Sequence, residues 1–290
     1  MKHVLITGIN SYIGNSVKEW LLKQPEIYKI NEIDLRDDQW CQEDFSHYDV
    51  IFHVAGLAHS DTGNASEETK KLYYKVNCDL TVDVARKAKS EGVKQFIFMS
   101  SMIVYGESTP IGKPKRITVE TVPNPANFYG DSKWQAEIGL EKLRSENFKI
   151  AIIRPPMIYG KGSKGNYPRL ARLARKLPLF PNLENERSML HIDNLSEFIR
   201  LMILNEEAGV FFPQNEAYIS TSELVKEIAA VHGKKIWLTH LFNPFLRLFS
   251  RRVGIINKVF GNLSYDLQMS EYKEDYRVRT FAESIGITEK

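Results

Sequence analysis

Residues 4–14 read Val-Leu-Ile-Thr-Gly-Ile-Asn-Ser-Tyr-Ile-Gly, an apolar run that ends at a glycine and is followed by a second glycine. Gly8 permits a tight turn out of a strand, and Gly14 lets the following helix pack closely on that strand. A helix N-terminus attracts phosphate, so this strand–turn–helix predicts a site for the pyrophosphate of a dinucleotide. Ser11 stands where a middle glycine is usual, which leaves a purely structural turn as the alternative.

The composition excludes several classes of protein. The 290 residues fit one large domain or two unequal ones, and 43% hydrophobic with 26% charged residues is typical of a soluble globule. A net charge of +3 is too balanced for a bulk nucleic-acid binder but suits an anionic small ligand. Cys41 and Cys78 have no metal-ligand spacing, so we expect no metal and predict reduced thiols in a cytoplasmic protein. Neither a signal peptide nor a transmembrane segment is predicted.

Apolar segments alternate with helical patterns through the first half of the chain. Strands are predicted at His3–Thr7, Ile30–Arg36, Asp49–Val54, Lys94–Ser100 and Lys149–Arg154, with helices at Ser11–Gln24 and Lys71–Ser90. The near-continuous apolar character of these strands favours a parallel sheet that is covered on both faces. The fold class is therefore α/β, with a Rossmann-like doubly wound parallel sheet.

The pattern changes after Pro155-Pro156, where a smaller α/β domain is predicted. Its predicted elements are a glycine-rich loop at Gly160–Gly165, a basic amphipathic helix at Tyr167–Lys176, a turn at Leu177–Pro181, a strand at Leu190–Ile192, and helices at Asn194–Leu204 and Glu223–His232. We place the boundary between residues 1–156 and 157–290, and expect 187–213 to return to the first domain.

The segment Trp237–Asn262 mixes aromatic residues and leucines with Arg247, Arg251 and Arg252. Two interpretations stay open for it. It forms helices of the second domain, or it forms a surface that lies on a membrane.

Asp34 and Arg36 lie near the end of the second predicted strand and bear on the choice of cofactor. A carboxylate at this position accepts hydrogen bonds from ribose hydroxyls, which favours NAD. Arg36 can instead bind the 2′-phosphate of NADP. A third interpretation places Asp34-Leu35 along the adenine, because only one strand fits before Asp49. NAD is slightly preferred.

Tyr129 and Lys133 are predicted to carry the chemistry: positions i and i+4 share one face of a helix, and the pair lies between the strands that end at Ser100 and Arg154. The spacing alone is also typical of a solvated helix face. A lysine beside a tyrosine is expected to lower the pKa of the phenol, which then exchanges a proton near neutral pH. Ser100 and Ser101 follow a predicted strand, and ligands of open α/β sheets lie at the carboxyl ends of strands. Ser101 can hydrogen-bond a substrate oxygen near the tyrosine.

These motifs, taken together, resemble those of the extended short-chain dehydrogenases/reductases, within the NAD-dependent epimerase/dehydratase family that acts on nucleotide sugars. The matching stretches follow the family order along nearly the whole chain: Thr7–Gly14, His53–Gly56, Asn77, Ser100–Gly106, Tyr129–Lys133, Arg154–Pro156 and Arg187–Leu195. Ser11 and the short stretch around Asp34 depart from the family pattern, and the second departure bears on the cofactor.

The resemblance implies roles for individual residues. Tyr129 is the acid/base, Ser101 binds the sugar C4 oxygen, and Lys133 binds the nicotinamide ribose. The implied cofactor site comprises Gly8, Asn10, Ser11, Tyr12, Ile13, Gly14, Asp34, Arg36, Ala55, Gly56, Leu57, Asn77, Ser100, Tyr129, Lys133 and Pro156. Asn166 and Arg187 would bind the diphosphate of a nucleotide sugar, and Leu179, Phe180 and Pro181 would line its base. A homodimer is also usual in the family.

Three reactions compete within the family. A 4,6-dehydratase carries an acid/base pair at the positions of Met102 and Ile103, which cannot move protons, so we set that reaction aside. A 4-keto reductase with exchangeable NAD(P)H is preferred, because the second domain is small and the adenosine site is thin. The alternative is a UDP-sugar 4-epimerase with tightly bound NAD. A non-catalytic dinucleotide-binding protein is disfavoured, since Ser101, Tyr129 and Lys133 are all present.

Overall fold

The computed structural model describes residues 1–58, 65–250 and 254–290, without the side chain of Ile255. Its strands are β1 Lys2–Thr7, β2 Tyr28–Ile33, β3 Val50–His53, β4 Gln95–Met99, β5 Arg116–Ile117, β6 Lys149–Ile153, β7 Met157–Tyr159, β8 Leu179–Pro181, β9 Met189–His191, β10 Gly209–Phe211, β11 Trp237–Thr239 and β12 Ser264–Tyr265.

Its helices are α1 Tyr12–Leu21, α2 Glu67–Tyr74, α3 Leu80–Ser90, α4 Phe128–Glu141, α5 Asn166–Lys176, α6 Ile192–Leu204, α7 Thr221–Val231, α8 Asn243–Phe249, α9 Gly254–Phe260 and α10 Phe281–Glu289. A π-helical turn, Lys75–Asp79, joins α2 to α3, so the predicted helix at Lys71–Ser90 starts earlier than expected and is interrupted. Short 3₁₀ helices cover Asp38–Gln42, Met102–Tyr105 and Leu267–Ser270.

The chain divides into two compact units. Unit 1 comprises 1–106, 122–155 and 195–213, and unit 2 comprises 107–121, 156–194 and 214–290. The segment 107–121 therefore belongs to unit 2, although the sequence placed it in the first domain. The return to unit 1 begins at Leu195 rather than at residue 187. The assignment of ligands to the two domains stays a prediction.

Unit 1 is built on a six-stranded, entirely parallel sheet with the strand order β2-β1-β3-β4-β6-β10. All five residues of β4 are buried, which shows that both faces of the sheet are covered. Helices α3 and α4 pack on one face through residues such as Val84 and Leu140. The strand order changes direction between β1 and β3, the position where such sheets bind ligands. The predicted Rossmann-like α/β fold is confirmed.

Unit 2 contains three short parallel strand pairs, β7–β9, β8–β11 and β5–β12. Its core includes residues from α5, α7 and α10 that surround Tyr159 and Phe180. The predicted turn at Leu177–Pro181 is wrong in part, because Leu179–Pro181 pairs with β11 as a strand. Local proline content suggested a turn, whereas the pairing partner lies more than fifty residues away in the sequence.

The segment Trp237–Asn262 contains β11, α8 and α9. Arg247 is exposed on α8, while Arg251 and Arg252 lie outside the described residues. Within the part of the chain that the structure describes, we find no helix with the length and apolar character needed to cross a bilayer.

Candidate active site

The turn between β1 and α1 has the tight geometry that the sequence predicts. Gly8 has a φ of +87°, and a Cβ at this position would lie 3.0 Å from the Ala55 backbone. Asn10 adopts a φ of +63°, a left-handed conformation that asparagine tolerates better than most residues. Glycine at residue 8 therefore lets the ends of β1 and β3 approach each other beside the N-terminus of α1.

Ser11 replaces the usual glycine and serves as the N-cap of α1. Its hydroxyl accepts a hydrogen bond of 2.9 Å from the Gly14 N–H. A Cβ on Gly14 would lie 2.5 Å from that hydroxyl and 3.2–3.3 Å from Val54 and Ile6. Gly14 therefore has the packing role that the sequence predicts, and the serine departs from the family pattern without losing the turn.

A chain of polar groups crosses the interior of unit 1 from Thr7 to Asn77. The Thr81 hydroxyl donates to the Asn77 carbonyl at 2.9 Å, so it accepts from Nε2–H of His53 at 3.0 Å. Nδ1 of His53 then accepts from the Thr7 hydroxyl, also at 3.0 Å. His53 is fully buried, and burial lowers its pKa to about 3, with the nearby charge of Lys133 acting in the same direction.

Asn77 lies in the π-helical turn and connects the loop after β3 to α4. Its Oδ1 accepts from Leu57 N–H at 2.7 Å, and its Nδ2 donates to the Leu57 carbonyl at 3.1 Å and to the Ser132 hydroxyl at 3.0 Å. A Cβ on Gly56 would lie 3.1 Å from both Asn77 Oδ1 and Lys133 Nζ. A side chain at residue 56 would therefore crowd these two buried polar groups at the carboxyl end of β3.

Tyr129 lies in the first turn of α4, which Asn127 caps by accepting a 3.0 Å hydrogen bond from Gly130 N–H. A Cβ on Gly130 would lie 2.8 Å from the Ile103 carbonyl, so this glycine lets α4 approach the 3₁₀ turn after Ser101. The Ser101 side chain lies near enough to the Tyr129 phenol to lower its pKa. The structure thus brings together the serine and tyrosine that the sequence paired.

The pKa of Tyr129 differs from the sequence-based expectation. Burial raises it to about 12, with a smaller contribution from neighbouring Tyr73, and the Ser101 side chain opposes the rise. Lys133 was expected to lower this pKa, but its ammonium instead donates to the Met99 carbonyl at 2.9 Å. The lysine side chain therefore points toward the end of β4, and the predicted coupling between Lys133 and Tyr129 is corrected.

Lys133 is almost completely buried on α4. Burial lowers its pKa to about 8, and the charge of Glu137 one turn later partly offsets that effect. Its ammonium also lies 4.7 Å from the centre of the Phe98 ring. A buried amine that packs directly against Gly56 suits a group that binds hydroxyls.

A buried ion pair that no sequence pattern predicted lies in unit 1 next to Lys133. The Arg154 guanidinium donates from Nε to both oxygens of Glu137, at 3.2 and 3.1 Å, and from Nη1 to the Tyr105 hydroxyl at 2.5 Å. Glu137 also accepts from the Ser100 hydroxyl. The available signal was the spacing of Glu137, four residues after Lys133 and eight after Tyr129, on the helix face that meets the sheet.

Asp34 and Arg36 form an exposed bidentate pair just after β2, which ends three residues earlier than the predicted strand. Arg36 lowers the pKa of Asp34 through these hydrogen bonds. Leu35 is buried in the core of unit 1, so its side chain is turned away from any adenine that lies at the surface. The first two interpretations, of a ribose or a 2′-phosphate ligand, both fit the exposed pair.

In unit 2, the predicted diphosphate ligands Asn166 and Arg187 line one shallow recess together with Lys258. Burial lowers the pKa of Arg187 to about 10, and its Nη1 donates to the Gly261 carbonyl at 3.3 Å. Among the residues that the structure describes, no carboxylate forms an ion pair with Arg187. Two cations and an amide around one recess suit an anionic ligand.

The residues predicted to line a base differ in exposure. Leu179 is exposed, but the Phe180 side chain is only 3% exposed and its ring packs 5.6 Å from that of Phe260. A base can therefore meet only the backbone of Phe180, because alternate residues of a strand point in opposite directions. Pro156, a predicted cofactor residue, is buried directly before β7.

A glycine turn at the start of a parallel sheet, together with a Ser–Tyr–Lys set, defines a dinucleotide-dependent oxidoreductase site. Comparison with known proteins agrees. The model of the NAD dependent epimerase/dehydratase family matches residues 4–212. The chain belongs to this family of enzymes. The match confirms the family resemblance seen in the sequence motifs and the expected NAD-type cofactor.

Two curated relatives cover most of the chain. UDP-glucose 4-epimerase of Vibrio cholerae is 33% identical over 92% of this chain and 88% of its own length. An N-acetyl-α-D-glucosaminyl-diphospho-ditrans,octacis-undecaprenol 4-epimerase of Escherichia coli O157:H7 is 31% identical over 89% and 81%.

Solved structures share the fold. The UDP-glucose 4-epimerase of Thermus thermophilus in complex with NAD aligns with a TM-score of 0.75 at 18% identity, over 99% of this chain and 97% of that one. A dTDP-4-dehydrorhamnose reductase of Bacillus anthracis in complex with NADP aligns with a TM-score of 0.67 at 25% identity, over 84% and 86%.

Proposed function

We propose that this protein is a nucleotide-sugar 4-epimerase that holds NAD. The observation that carries the proposal is the placement of Tyr129 in the first turn of α4, one helical turn before the buried amine of Lys133 and beside the Ser101 side chain that lowers the pKa of the phenol. The sequence alone preferred a 4-keto reductase. Two 4-epimerases that align with most of the chain favour the alternative.

The described residues fit a dinucleotide. The tight turn at Gly8 and the N-terminus of α1 provide the predicted phosphate site, with Ser11 already occupying the Gly14 N–H. The N–H groups of Tyr12 and Ile13 are the proposed phosphate donors. Gly56 lets the backbone after β3 pass close to Lys133 and Asn77, and the ribose hydroxyls are proposed to bind on its exposed side. Asp34 is proposed to accept from the adenosine ribose.

The catalytic task of the protein is to move one proton at the sugar O4. Tyr129 takes the hydroxyl proton as the C4–H bond breaks and returns a proton when that bond re-forms on the other face. Ser101 donates to the same oxygen and keeps it beside the phenol. When bound, the dinucleotide supplies the hydride acceptor and donor, and its oxidised ring adds a positive charge that lowers the pKa of a nearby phenol.

The cationic side chains of Arg187 and Lys258 in unit 2 support a diphosphate as the shared feature of the substrate. Arg187 and Lys258 recognise phosphate charge whether a nucleoside or a polyprenol is attached to it. A second candidate substrate is therefore a polyprenyl-diphosphate sugar, as named for the Escherichia coli relative. Exposed apolar side chains on unit 2, including Phe245, specifically favour this second candidate.

The first experiment is to denature the purified protein with acid and measure the dinucleotide in the supernatant. About one equivalent of NAD per chain, with interconversion of UDP-glucose and UDP-galactose or of their N-acetylated forms, supports the epimerase. Epimerisation at C4 of N-acetylglucosaminyl-diphospho-undecaprenol, without turnover of the UDP-sugars, supports the second candidate substrate. An empty protein that reduces 4-keto sugars with added NADH or NADPH would overturn both.

Tyr129→Phe tests the proton role. We expect kcat to fall about 10²- to 10⁴-fold with the dinucleotide content unchanged, because the ring is retained and only the hydroxyl is lost. Tyr48→Phe, a partly buried tyrosine of unit 1 outside this site, is the matched control and keeps full activity. Activity that survives in Tyr129→Phe would show that another group transfers the proton.

A further inference from the structure

Helix α8 of unit 2 exposes most of its apolar side chains, although Leu246 packs against the core of the unit. Asn243 and Ser250 point inward, and Nδ2 of Asn243 donates to the Asn182 carbonyl at 2.8 Å. Phe245 is 66% exposed and Phe249 is 48% exposed on the outer face. Surface helices normally bury their apolar residues, so this helix has an outer face suited to an apolar environment.

The strand pair β8–β11 adds further apolar side chains to the surface of unit 2. Trp237 and Leu179 are partners in the strand register, and they are 59% and 47% exposed. The Lys235 ammonium lies 4.3 Å from the centre of the Trp237 ring. Tryptophan beside lysine is a combination that favours the interface between water and lipid. We call the exposed apolar residues of β8, β11, α8 and the link between β11 and α8 the apolar surface; they are Leu179, Trp237, Leu241, Phe242, Phe245, Leu248 and Phe249.

The sequence around the apolar surface is uniformly positive. Residues 228–265 contain no aspartate or glutamate and six basic residues: Lys234, Lys235, Arg247, Arg251, Arg252 and Lys258. Residues 157–183 likewise contain no acidic residue and six basic ones: Lys161, Lys164, Arg169, Arg172, Arg175 and Lys176. Because β8 pairs with β11, these two stretches adjoin in unit 2. Arg251 and Arg252 contribute here only as sequence, since they lie outside the described residues.

We propose that the apolar surface docks unit 2 onto an anionic phospholipid bilayer. Aromatic and leucine side chains enter the interfacial region, and the surrounding lysines and arginines attract acidic headgroups. A second copy of this chain is a poorer occupant. An isologous contact would place the two acid-free stretches of both copies against each other, with like charges opposed. The proposal is independent of the catalytic reaction and goes beyond it.

Vesicle co-sedimentation of the full chain tests this proposal without substrate. We expect binding to vesicles of phosphatidylcholine with phosphatidylglycerol and little binding to phosphatidylcholine alone. Phe245→Ser combined with Phe249→Ser is expected to lower the partition coefficient at least about tenfold. Lys235→Glu combined with Arg247→Glu is expected to lower it by about fivefold or more for each charge.

Matched controls come from exposed residues elsewhere in the chain. Val119→Ser replaces an apolar residue that is 83% exposed, and Lys142→Glu reverses an exposed charge, and both should leave vesicle binding unchanged. Equal binding of the phenylalanine variant and the unchanged protein would overturn the proposal, as would failure to bind anionic vesicles. Sedimentation that shows a dimer lost in the phenylalanine variant, with no vesicle binding, would assign the surface to a second copy instead.

Discussion

Unit 1 and helix α8 of unit 2 differ in where they place polar and apolar side chains. Unit 1 buries several polar groups, whereas α8 exposes apolar ones. In unit 1, buried groups such as His53, Asn77 and Glu137 are polar, and each one has hydrogen-bond partners. At α8, the buried residues at its two ends, Asn243 and Ser250, are polar, while Phe245 and Phe249 are exposed. A buried polar group is costly unless it is paired, and an exposed apolar group is costly unless something covers it.

This difference separates what each region does. The buried polar groups of unit 1 position the residues around the proposed cofactor site. Thr81, which binds His53, holds the π-helical turn through the Asn77 carbonyl, and the Asn77 side chain holds the loop at Leu57 against α4. The exposed apolar side chains of α8 position no other group of the chain. Their role therefore depends on contact with another molecule or with a membrane. Substitutions should therefore reduce stability in the first region and reduce only association in the second.

The largest effect is expected for Glu137→Ala. This change leaves the Arg154 guanidinium buried without its carboxylate, and breaking such a pair costs about 3–5 kcal/mol of unfolding free energy. Urea denaturation measures it. The matched control is Glu141→Ala, one turn later on α4, because its ion pair with Arg144 is partly exposed and should be worth less than about 1 kcal/mol. Equal losses for the two variants would show that burial does not set the value of the pair.

The contact between Glu137 and Arg154 is an example of what the sequence alone does not predict. The strands of unit 1, the Gly8 turn and the helix that carries Tyr129 and Lys133 follow from local apolar runs and spacing, and the structure contains all of them. The partner of Glu137 is an arginine at the end of a strand seventeen residues later, and no local pattern specifies that contact. Non-local pairs of this kind depend on how the sheet and α4 pack.

The remaining differences have the same cause. Lys133 was expected to act on Tyr129 because both lie on one helix face, yet the Met99 carbonyl from a neighbouring strand binds its ammonium. Phe180 was expected to line a base, but alternation along β8 turns its ring into the core of unit 2. Periodicity indicates which residues share a face, whereas the tertiary partners decide what that face meets.

The next effect concerns pH. The pKa of His53 is about 3 in the folded protein and near 6.5 in the unfolded chain, so the unfolded state binds more protons between these values. The contribution of His53 to the free energy of unfolding is therefore fully present above about pH 6.5. It falls as the pH decreases, by about 3 kcal/mol at roughly pH 4.5.

Urea denaturation at several pH values, compared between the unchanged protein and His53→Gln, isolates this contribution. The glutamine keeps a donor for Thr81 but does not titrate, so the acid-side slope should become shallower in the variant. His47→Gln removes an exposed histidine and serves as the control. An unchanged slope in His53→Gln would mean that the buried histidine is not the group that resists protonation.

A smaller effect is expected for Asn77→Ala. The substitution removes three side-chain hydrogen bonds and leaves the Leu57 N–H without its acceptor, at a cost of about 1–3 kcal/mol. The affinity for NAD should fall as well, because the loop after Gly56 is released from α4. Asn15→Ala, on the exposed face of α1, should change neither quantity. Unchanged affinity in a destabilised Asn77→Ala would limit the residue to a structural role.

The smallest effect on stability is expected for Phe245→Ser, which sharpens the comparison from the other side. Because this phenylalanine is largely exposed and packs on little of the chain, the unfolding free energy should change by less than about 0.5 kcal/mol. Leu246→Ser, the next residue, packs against the core of unit 2 and should be clearly more destabilising. Urea denaturation of both variants at several protein concentrations is the measurement. A large, concentration-dependent loss for Phe245→Ser would mean that its ring is covered by another copy of the chain. A small loss together with weakened vesicle binding is the result that a lipid-facing helix requires.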